Sequence, residues 1–147
     1  MTFFTGRYDC KMDAKGRIVL PAKFKAQLPV EDGNELAIQM GFEPHLTIYP
    51  MLEFKKVLSQ VSALSEFNKE YRQLQLNFFS TITTVELDDN GRFLIPKNMV
   101  SYAQLQKDVV LIGMGTKIVL WDPALYENNL IQDRNEYSKL AEKHLDK

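Results

Sequence analysis

Two aspartate and two arginine side chains occupy equivalent places in a nine-residue frame that occurs twice in the chain. The frame is Asp-x-x-Gly-Arg followed by three apolar residues and Pro; its copies are Asp13–Pro21 and Asp88–Pro96, 75 positions apart. A guanidinium group can bind a phosphate or a guanine through two parallel hydrogen bonds. Two carboxylates brought together by the repeat could instead form an acid–base pair. The frame therefore allows nucleic-acid binding or hydrolysis.

The frame also has the composition of a tight turn. Aspartate side chains accept hydrogen bonds from turn backbone, and glycine supplies a positive φ. No histidine lies near either copy, and the sequence contains no nucleophile elbow or phosphate-binding glycine loop. We therefore expect a protein that is not an enzyme, with a hydrolase built on the Asp pair as an alternative. A structural role in the turn is assigned to Asp13, Pro21, Asp88, Gly91 and Pro96.

Basic side chains are concentrated around the first copy. The whole chain of 147 residues is nearly neutral, with 18 Lys and Arg against 19 Asp and Glu. The window Arg7–Lys25 holds six basic and two acidic residues, whereas the equivalent window Ile82–Val100 holds two basic and three acidic ones. Because a basic surface attracts the phosphate backbone, we predict that the first repeat binds DNA and that the second mainly completes the fold. The candidate DNA-binding residues are Arg7, Lys11, Lys15, Gly16, Arg17, Lys23, Lys25 and Arg92.

Residues that commonly bind metals are scarce. The chain has one cysteine, Cys10, and two widely separated histidines, His45 and His144. We therefore expect no disulfide, no metal site and no cofactor. Cys10 is predicted to be a small buried strand residue, and both histidines are predicted to lie at the surface. Tyr49 and Trp121, which occupy equivalent positions in the two repeats, are predicted to serve in packing.

Each copy is predicted to lie in a unit of strand, turn, strand, short helix, strand, turn, strand and helix. Lys15-Gly16 and Asn90-Gly91 predict hairpin turns of type I′, in which both central residues have positive φ. The prolines that end the frames suit the first turn of a helix. The expected spans are helices Ala22–Gln27 and Lys97–Leu105 and strands Glu35–Met40, Leu46–Tyr49, Val109–Ile112 and Ile118–Trp121, paired around Gly41 and Gly113.

Longer helices are predicted from apolar residues at helical spacing. One stripe follows Pro50, and a second runs from Phe67 to Phe78 towards the second frame. Asp122-Pro123 predicts the start of a last helix, from Ala124 to about His144. The longest apolar stretch, Val109–Gly115, is far shorter than the roughly 20 residues that span a bilayer. Since no export signal is visible either, we expect no membrane partner and a cytoplasmic protein.

The doubled frame, Asp13–Pro21 and Asp88–Pro96, resembles the MraZ family of bacterial transcriptional regulators. The wider hairpin resembles the swapped-hairpin domains of AbrB-type regulators and antitoxins. The resemblance covers essentially the whole chain and implies a mixed α/β fold, in which two pseudo-symmetric AbrB-like swapped-hairpin repeats form a double-split β-barrel with flanking helices. The expected division is 5–58 for the first repeat, 59–80 for a helical connector, 81–126 for the second repeat and 127–147 for a C-terminal helix.

The same resemblance implies a function. A member of the family is expected to bind double-stranded DNA at promoter direct repeats, as a ring-like homo-oligomer associated with the nucleoid. The expected target is a cell-division and cell-wall gene cluster, including the protein's own promoter. The family usually has Arg four positions after each Pro, where this chain has Lys25 and Val100; Lys keeps the charge without the planar guanidinium, and Val keeps neither. An antitoxin-like or scaffold protein that binds a protein partner through the same hairpins is the alternative.

Overall fold

The computed structural model describes residues 3–145, and its elements repeat in the order that the doubled frame predicts. The first half contains β1 (Phe4–Lys11), β2 (Arg17–Val19), α1 (Ala22–Ala26), β3 (Glu35–Met40), β4 (Leu46–Pro50), α2 (Met51–Ser62) and α3 (Lys69–Ser80). The second half contains β5 (Ile82–Glu86), β6 (Arg92–Leu94), α4 (Lys97–Tyr102), β7 (Asp108–Gly115), β8 (Ile118–Trp121), α5 (Pro123–Asn129) and α6 (Arg134–His144). Each half therefore gives four strands and three α-helices within the described range, and the first half adds a short 3-10 helix at Val30–Asp32.

The strands pair across the two repeats. Six of them form one antiparallel sheet in the order β1-β7-β8-β4-β3-β5, and β2 pairs with β6 in a separate two-stranded ribbon. Strand β1 of the first repeat thus pairs with β7 of the second, and β5 of the second repeat pairs with β3 of the first. The two halves of the sheet meet where β4 pairs with β8, at Thr47 and Val119. This exchange of strands confirms the predicted fold class of two swapped-hairpin repeats in a mixed α/β protein.

The main core lies between the inner face of the large sheet and the ribbon. The middle residues of the ribbon strands, Ile18 and Phe93, are buried there with Phe24 of α1 and Met99 of α4. Burying each of these side chains contributes roughly 1.5–3 kcal/mol before entropy is counted. The inner residues therefore fix the ribbon on the sheet, and its other face is left towards solvent.

The outer face of the large sheet carries one aromatic cluster in each repeat. In the first repeat Tyr49 of β4 packs with Phe54 of α2 and Phe78 of α3, and in the second Trp121 of β8 packs with Tyr126 of α5. Neighbouring residues on the same strands point into the main core, as expected for side chains that alternate between faces. Tyr49 and Trp121 are buried, and the packing role predicted for them is confirmed.

The turns of the two frames differ from the predicted type I′ geometry. Gly16 and Gly91 have φ of 88° and 74°, whereas the residue before each glycine does not have a positive φ. The N–H of Gly16 donates to the carbonyl of Asp13, and that of Gly91 donates to Asp88. The type I′ prediction is wrong because only the last residue of each turn occupies the left-handed region, as in a type I turn followed by a glycine bulge. Pro21 and Pro96 also lie one residue outside the first turn, directly before α1 and α4.

The prediction of one continuous helix over residues 124–144 is wrong, because α5 and α6 are separate helices. The side-chain amide of Gln132 donates to the backbone carbonyl of Glu127 near the end of α5. Asp133 then accepts a hydrogen bond from the backbone N–H of Asn135 and begins α6. Polar side chains thus compete with the helix for its backbone groups, which ends one helix and starts another.

Gly113 does not lie in the loop between β7 and β8, as predicted, but inside β7 opposite Gly6 of β1. A Cβ at Gly113 would collide with the backbone of Thr5. Glycine is therefore needed here for the close approach of β1 to β7, rather than for a turn. The actual loop follows Gly115, at the end of β7, and is closed by a hydrogen bond from the N–H of Met114 to the carbonyl of Lys117.

His45 is buried, although the sequence predicts a surface position for it. Its side chain stacks on Trp121 with 4.5 Å between ring centroids, and a Cβ at Gly41 would collide with its ring. Only 9% of the residue is exposed, and Nδ1 has no hydrogen-bond partner within residues 3–145. Burial lowers the pKa of His45. His144 is exposed as predicted, and Cys10 is half-buried in β1.

Replacing Gly91 by Val is expected to destabilise the protein by about 1–3 kcal/mol. A Cβ at Gly91 would meet only Lys25, at an ordinary 3.6 Å from Nζ, so the cost comes from forcing a β-branched residue to a φ of 74°. Thermal unfolding followed by circular dichroism measures this loss. Gly91→Asn is the matched control and should cost less, because Asn tolerates the left-handed region. Equal melting temperatures for the Val variant and the wild type would contradict the turn geometry.

The burial of His45 predicts that mild acid destabilises the protein. The unfolded chain takes up a proton near the ordinary histidine pKa, whereas the buried imidazole resists protonation, so stability falls as the pH falls through that range. Melting temperatures at about pH 7.5 and about pH 5.5 measure the effect. His45→Gln should reduce the difference between them, while His144→Gln should leave it unchanged. An undiminished difference in the His45 variant would contradict the assignment.

Candidate nucleic-acid interface

The exposed face of the ribbon carries two arginines and two aliphatic residues. The middle residue of each ribbon strand is buried, so the residues on either side of it point outward. Arg17 lies opposite Leu94, and Val19 lies opposite Arg92. Val19 and Leu94 are 54% and 51% exposed, which is unusual for aliphatic side chains in a sheet. We call these four residues, Arg17, Val19, Arg92 and Leu94, the ribbon face.

Each arginine of the ribbon face is held by the aspartate of its own turn. Oδ1 of Asp13 accepts hydrogen bonds from the backbone N–H groups of Lys15 and Arg17, and Oδ2 accepts one from Nε of Arg17 at 2.7 Å. Asp88 holds Arg92 in the same way, with 2.8 Å between Oδ2 and Nε. One carboxylate therefore closes the turn and also orients the arginine.

The other edge of each guanidinium is free to bind a ligand. Within residues 3–145 the terminal amino groups of Arg17 and Arg92 form no hydrogen bond, since each bond to aspartate uses Nε. Both arginine side chains are 30% exposed. A guanidinium that is already oriented loses little entropy when it binds. These amino groups can donate to a phosphate or to the O6 and N7 acceptors of guanine.

The two turn aspartates do not form an acid–base pair. The pKa of Asp13 is lowered chiefly by the hydrogen bond from the backbone N–H of Arg17, and that of Asp88 is lowered in the same way by Arg92. Both are therefore ionised at neutral pH and carry no proton to donate. In the described part of the chain, the hydrogen bonds of each carboxylate remain within its own turn. The geometry gives no support to the hydrolase alternative.

Strand exchange places Lys25 of the first repeat beside the turn of the second. Its Nζ would lie 3.6 Å from a Cβ at Gly91, and the nearby N–H of Leu20 donates to the carbonyl of Gly91. Lys15 remains exposed in the first turn, and Lys23 is exposed on α1. A basic charge that the sequence window assigns to the first repeat thus lies at the second turn. The two turns differ less in charge than the windows predict.

Arg7 and Lys11 lie away from the ribbon face. The residues between them, at positions 8 and 10, pack in the main core, so Arg7 and Lys11 point to the outer face of the sheet. Arg7 pairs with Asp9 at 3.2 Å and with Glu127 at 3.3 Å, and the Asp9 hydrogen bond is the main cause that raises its pKa. Lys11 pairs with Asp108 at 2.5 Å. The structure therefore does not bring these two candidates together with Lys15 and Arg17.

Val19 and Leu94, the two aliphatic residues of the ribbon face, were not predicted from the sequence. The signal was present, because the residue two positions after each frame arginine is aliphatic and a strand places such residues on one face. The exposed position of Val19 and Leu94 depends on the pairing of β2 with β6, which a single sequence does not show.

Residues 3–145 hold neither a metal-binding cluster nor a membrane-spanning helix. No group of three or more His, Cys, Asp or Glu side chains there could hold a metal ion. None of the helices in that range has the length and apolar character needed to cross a membrane.

Comparisons with known proteins also divide the chain into two similar halves. A family model described as "MraZ protein, putative antitoxin-like" matches residues 3–77 and again residues 78–147. A protein of Cytophaga hutchinsonii named "Transcriptional regulator MraZ" is 52% identical over 145 residues, which cover 99% of this chain and 96% of the relative. Proteins of the same name from Bifidobacterium longum and Halothermothrix orenii are 38% and 37% identical, over 93% and 94% of this chain and 89% and 94% of theirs. Since the family model matches nearly the whole chain in two copies and these relatives are 37–52% identical over at least 93% of it, the chain belongs to the MraZ family.

Proposed function

We propose that this protein is a sequence-specific regulator of transcription that binds double-stranded DNA through the ribbon face. The observation that carries the proposal is the pair of guanidinium groups, each fixed at one edge by an aspartate and free at the other. A two-stranded β-ribbon has the dimensions to enter the major groove of B-DNA. The relatives named as transcriptional regulators support the same function.

The proposed contacts follow from the chemistry of each side chain. Arg17 donates to a guanine, while Lys15 in the adjoining turn binds a phosphate. Gly16, with no side chain, lets the turn approach the DNA backbone. Val19 and Leu94 are placed to contact thymine methyl groups, since apolar side chains read that base in the major groove. The ribbon face would thus favour a site that contains both guanine and thymine.

The remaining basic candidates contribute to different extents. Lys23 and Lys25 bind flanking phosphates, with Lys25 acting beside the second turn. Arg92 contributes less than Arg17, because acidic Asp89 and uncharged Asn90 occupy its turn where Ala14 and Lys15 occupy the first. Arg7 and Lys11 are held in ion pairs on the outer face. We propose that they act only on phosphates at the margin of the site.

A single ribbon would neutralise few phosphates, so several copies must act together. We propose a ring-like homo-oligomer whose ribbons all point in the same sense and bind direct repeats. The proposed target, which rests on the family resemblance, is a cell-division and cell-wall gene cluster that includes the protein's own promoter. In this role the protein works in the cytoplasm at the nucleoid and is not an enzyme.

A second candidate function is the binding of a protein partner through the same turns. The description of the matching family model as antitoxin-like favours this candidate. The two functions are separated by the dependence of binding on salt. DNA contacts through phosphates weaken steeply as salt is raised, with a slope set by the number of phosphates neutralised. Absence of retention on promoter DNA even at low salt would support the protein-binding alternative.

Arg17→Ala is expected to reduce specific DNA binding by about 1–3 kcal/mol and to relax selection at one base, because the bidentate contact is lost. Arg92→Ala removes the equivalent side chain and should cost less. Fluorescence anisotropy with labelled operator DNA at fixed salt measures both, and circular dichroism checks that each variant folds. Equal losses for the two variants would contradict the assignment of the first repeat as the main DNA-binding repeat.

The ring proposal predicts operator repeats in the same orientation, roughly 10 bp apart, so that successive ribbons meet the same face of the DNA. In a ring of head-to-tail subunits all ribbons point in the same direction around the ring, whereas the two ribbons of a twofold dimer point in opposite directions. Deleting one repeat should weaken binding far more than twofold, because linked contacts act through effective concentration. Footprints on the upstream region, with single repeats deleted and the spacing changed by half a turn, measure this. A palindromic footprint would instead indicate a twofold dimer.

A further inference from the structure

An open groove lies in the middle of the outer face of the large sheet, above the place where β4 pairs with β8. Its volume is about 630 Å³. Residues of both strands form its floor, α3 borders one side, and α5 borders the other. We call it the sheet groove; its main lining residues are Thr47, Tyr49, Leu74, Val119, Trp121 and Tyr126. The floor is narrow, since Tyr49, Val119 and Trp121 keep less than a tenth of their surface exposed. The sides carry the exposed apolar surface: Leu74, Met114 and Leu130 are 49%, 53% and 42% exposed. Exposed apolar side chains that cluster around a groove are typical of a binding surface.

The groove is open because the two repeats cover the sheet unequally. In the first repeat α3 folds back on α2: the Gln75 amide donates to the backbone carbonyls of Val61 and Leu64, and Phe78 stacks on Phe54. In the second repeat α6 follows α5 as α3 follows α2, yet α6 has no buried residue. The place beside α5 that corresponds to the position of α3 beside α2 is therefore open.

Helix α6 has the same apolar pattern as α3, the helix that fills the equivalent position in the first repeat. Tyr137 and Leu140 have the spacing of Tyr71 and Leu74 in α3. Both are substantially exposed, at 57% and 44%. A helix of 11 residues is marginally stable in water by itself and needs a packed apolar face. The chain therefore holds both an uncovered groove and a helix that lacks a partner.

The path of the chain leads α6 away from the groove of its own subunit. Leu130 lines the groove and has an extended backbone, with φ of −83° and ψ of 149°. α6 begins after Asp133 and contributes no side chain to the groove lining. Since every copy of the protein carries both features, α6 of one copy can enter the groove of the next.

We propose that α6 docks in the sheet groove of a neighbouring copy, with Tyr137 and Leu140 against Trp121 and Tyr126. Different surfaces of the two copies meet in this contact, so each copy can bind two neighbours and the series can close into a ring. The inference rests on the homo-oligomer of the proposed function and names the contact that builds it. The groove lies on the side of the sheet opposite the ribbon, so assembly leaves the ribbon face free for DNA.

Leu140→Asp tests the contact. The substitution places a charge where the proposal requires an apolar side chain, at a position exposed in the single chain. In sedimentation velocity the wild type is expected at a multiple of the 17.0 kDa chain mass, and the variant at a mass several-fold lower. Ser138→Asp adds the same charge to the same helix outside the stripe and should keep the wild-type mass. An unchanged mass for a folded Leu140→Asp variant would overturn the proposal.

Thiol cross-linking distinguishes the groove of a neighbour from the groove of the same chain. With Cys10 replaced by Ser, one tagged chain carries Leu140→Cys and an untagged chain carries Asn129→Cys at the groove edge. The two chains are co-expressed and treated with a short bifunctional maleimide. We expect a product that contains one chain of each kind. Absence of that product, or a product within a single chain when both cysteines are placed on it, would overturn the proposal.

Arg17→Ala separates failure of this inference from failure of the proposed function. This variant should bind operator DNA roughly 5- to 150-fold more weakly and keep the mass of the wild-type assembly, because Arg17 lies on the ribbon face. A full-sized Leu140→Asp assembly that still binds DNA would refute the docking of α6 and leave the function intact. Loss of mass in Leu140→Asp, together with wild-type DNA binding by Arg17→Ala, would support the docking and refute the role of the ribbon face.

Discussion

Neither repeat can pair its own first strand, and the rest of the structure depends on this constraint. The backbone groups of β1 find their partners in β7, and those of β5 find theirs in β3. Buried backbone N–H and C=O groups are costly when they are left unpaired, so each repeat requires the other. The same exchange brings β2 against β6, which creates the ribbon, and moves Lys25 to the turn of the opposite repeat.

The turn aspartates connect the stability of this arrangement with its proposed chemistry. A single carboxylate pairs with two backbone N–H groups and with the Nε of an arginine, so the side chain that closes the turn also directs the guanidinium outward. The buried middle residues of β2 and β6 fix the ribbon on the sheet. A binding surface built in this way needs little rearrangement to meet a rigid partner such as duplex DNA. The glycine and aspartate of the frame are thus structural residues that position the arginines.

Local sequence patterns predicted much of this structure, and what they missed depends on contacts between distant segments. The doubled frame gave the repeat, the element order and the fold class, because apolar periodicity and turn residues act over short distances. It did not show that His45 stacks on Trp121 or that Val19 and Leu94 share a face with the arginines, since both depend on strand pairing. The charge windows misplaced Lys25 for the same reason. The division between α5 and α6 was missed because side-chain hydrogen bonds from Gln132 and Asp133 outweigh helical propensity there.

The pairing of β1 with β7 also has a consequence for folding during synthesis on the ribosome. Phe4 is aligned with Gly115, so β1 pairs with a strand that is synthesised much later. At a synthesis rate of roughly 5–20 residues per second, β1 lacks its pairing partner for several seconds, until β7 emerges. Contacts between such distant segments also slow the folding of a complete chain, because the ends of a long loop must first meet. A strand that waits with unpaired edges can join the same strand of another nascent chain. Polysomes that translate this message therefore bring together chains at the stage when they are most open to exchange with one another.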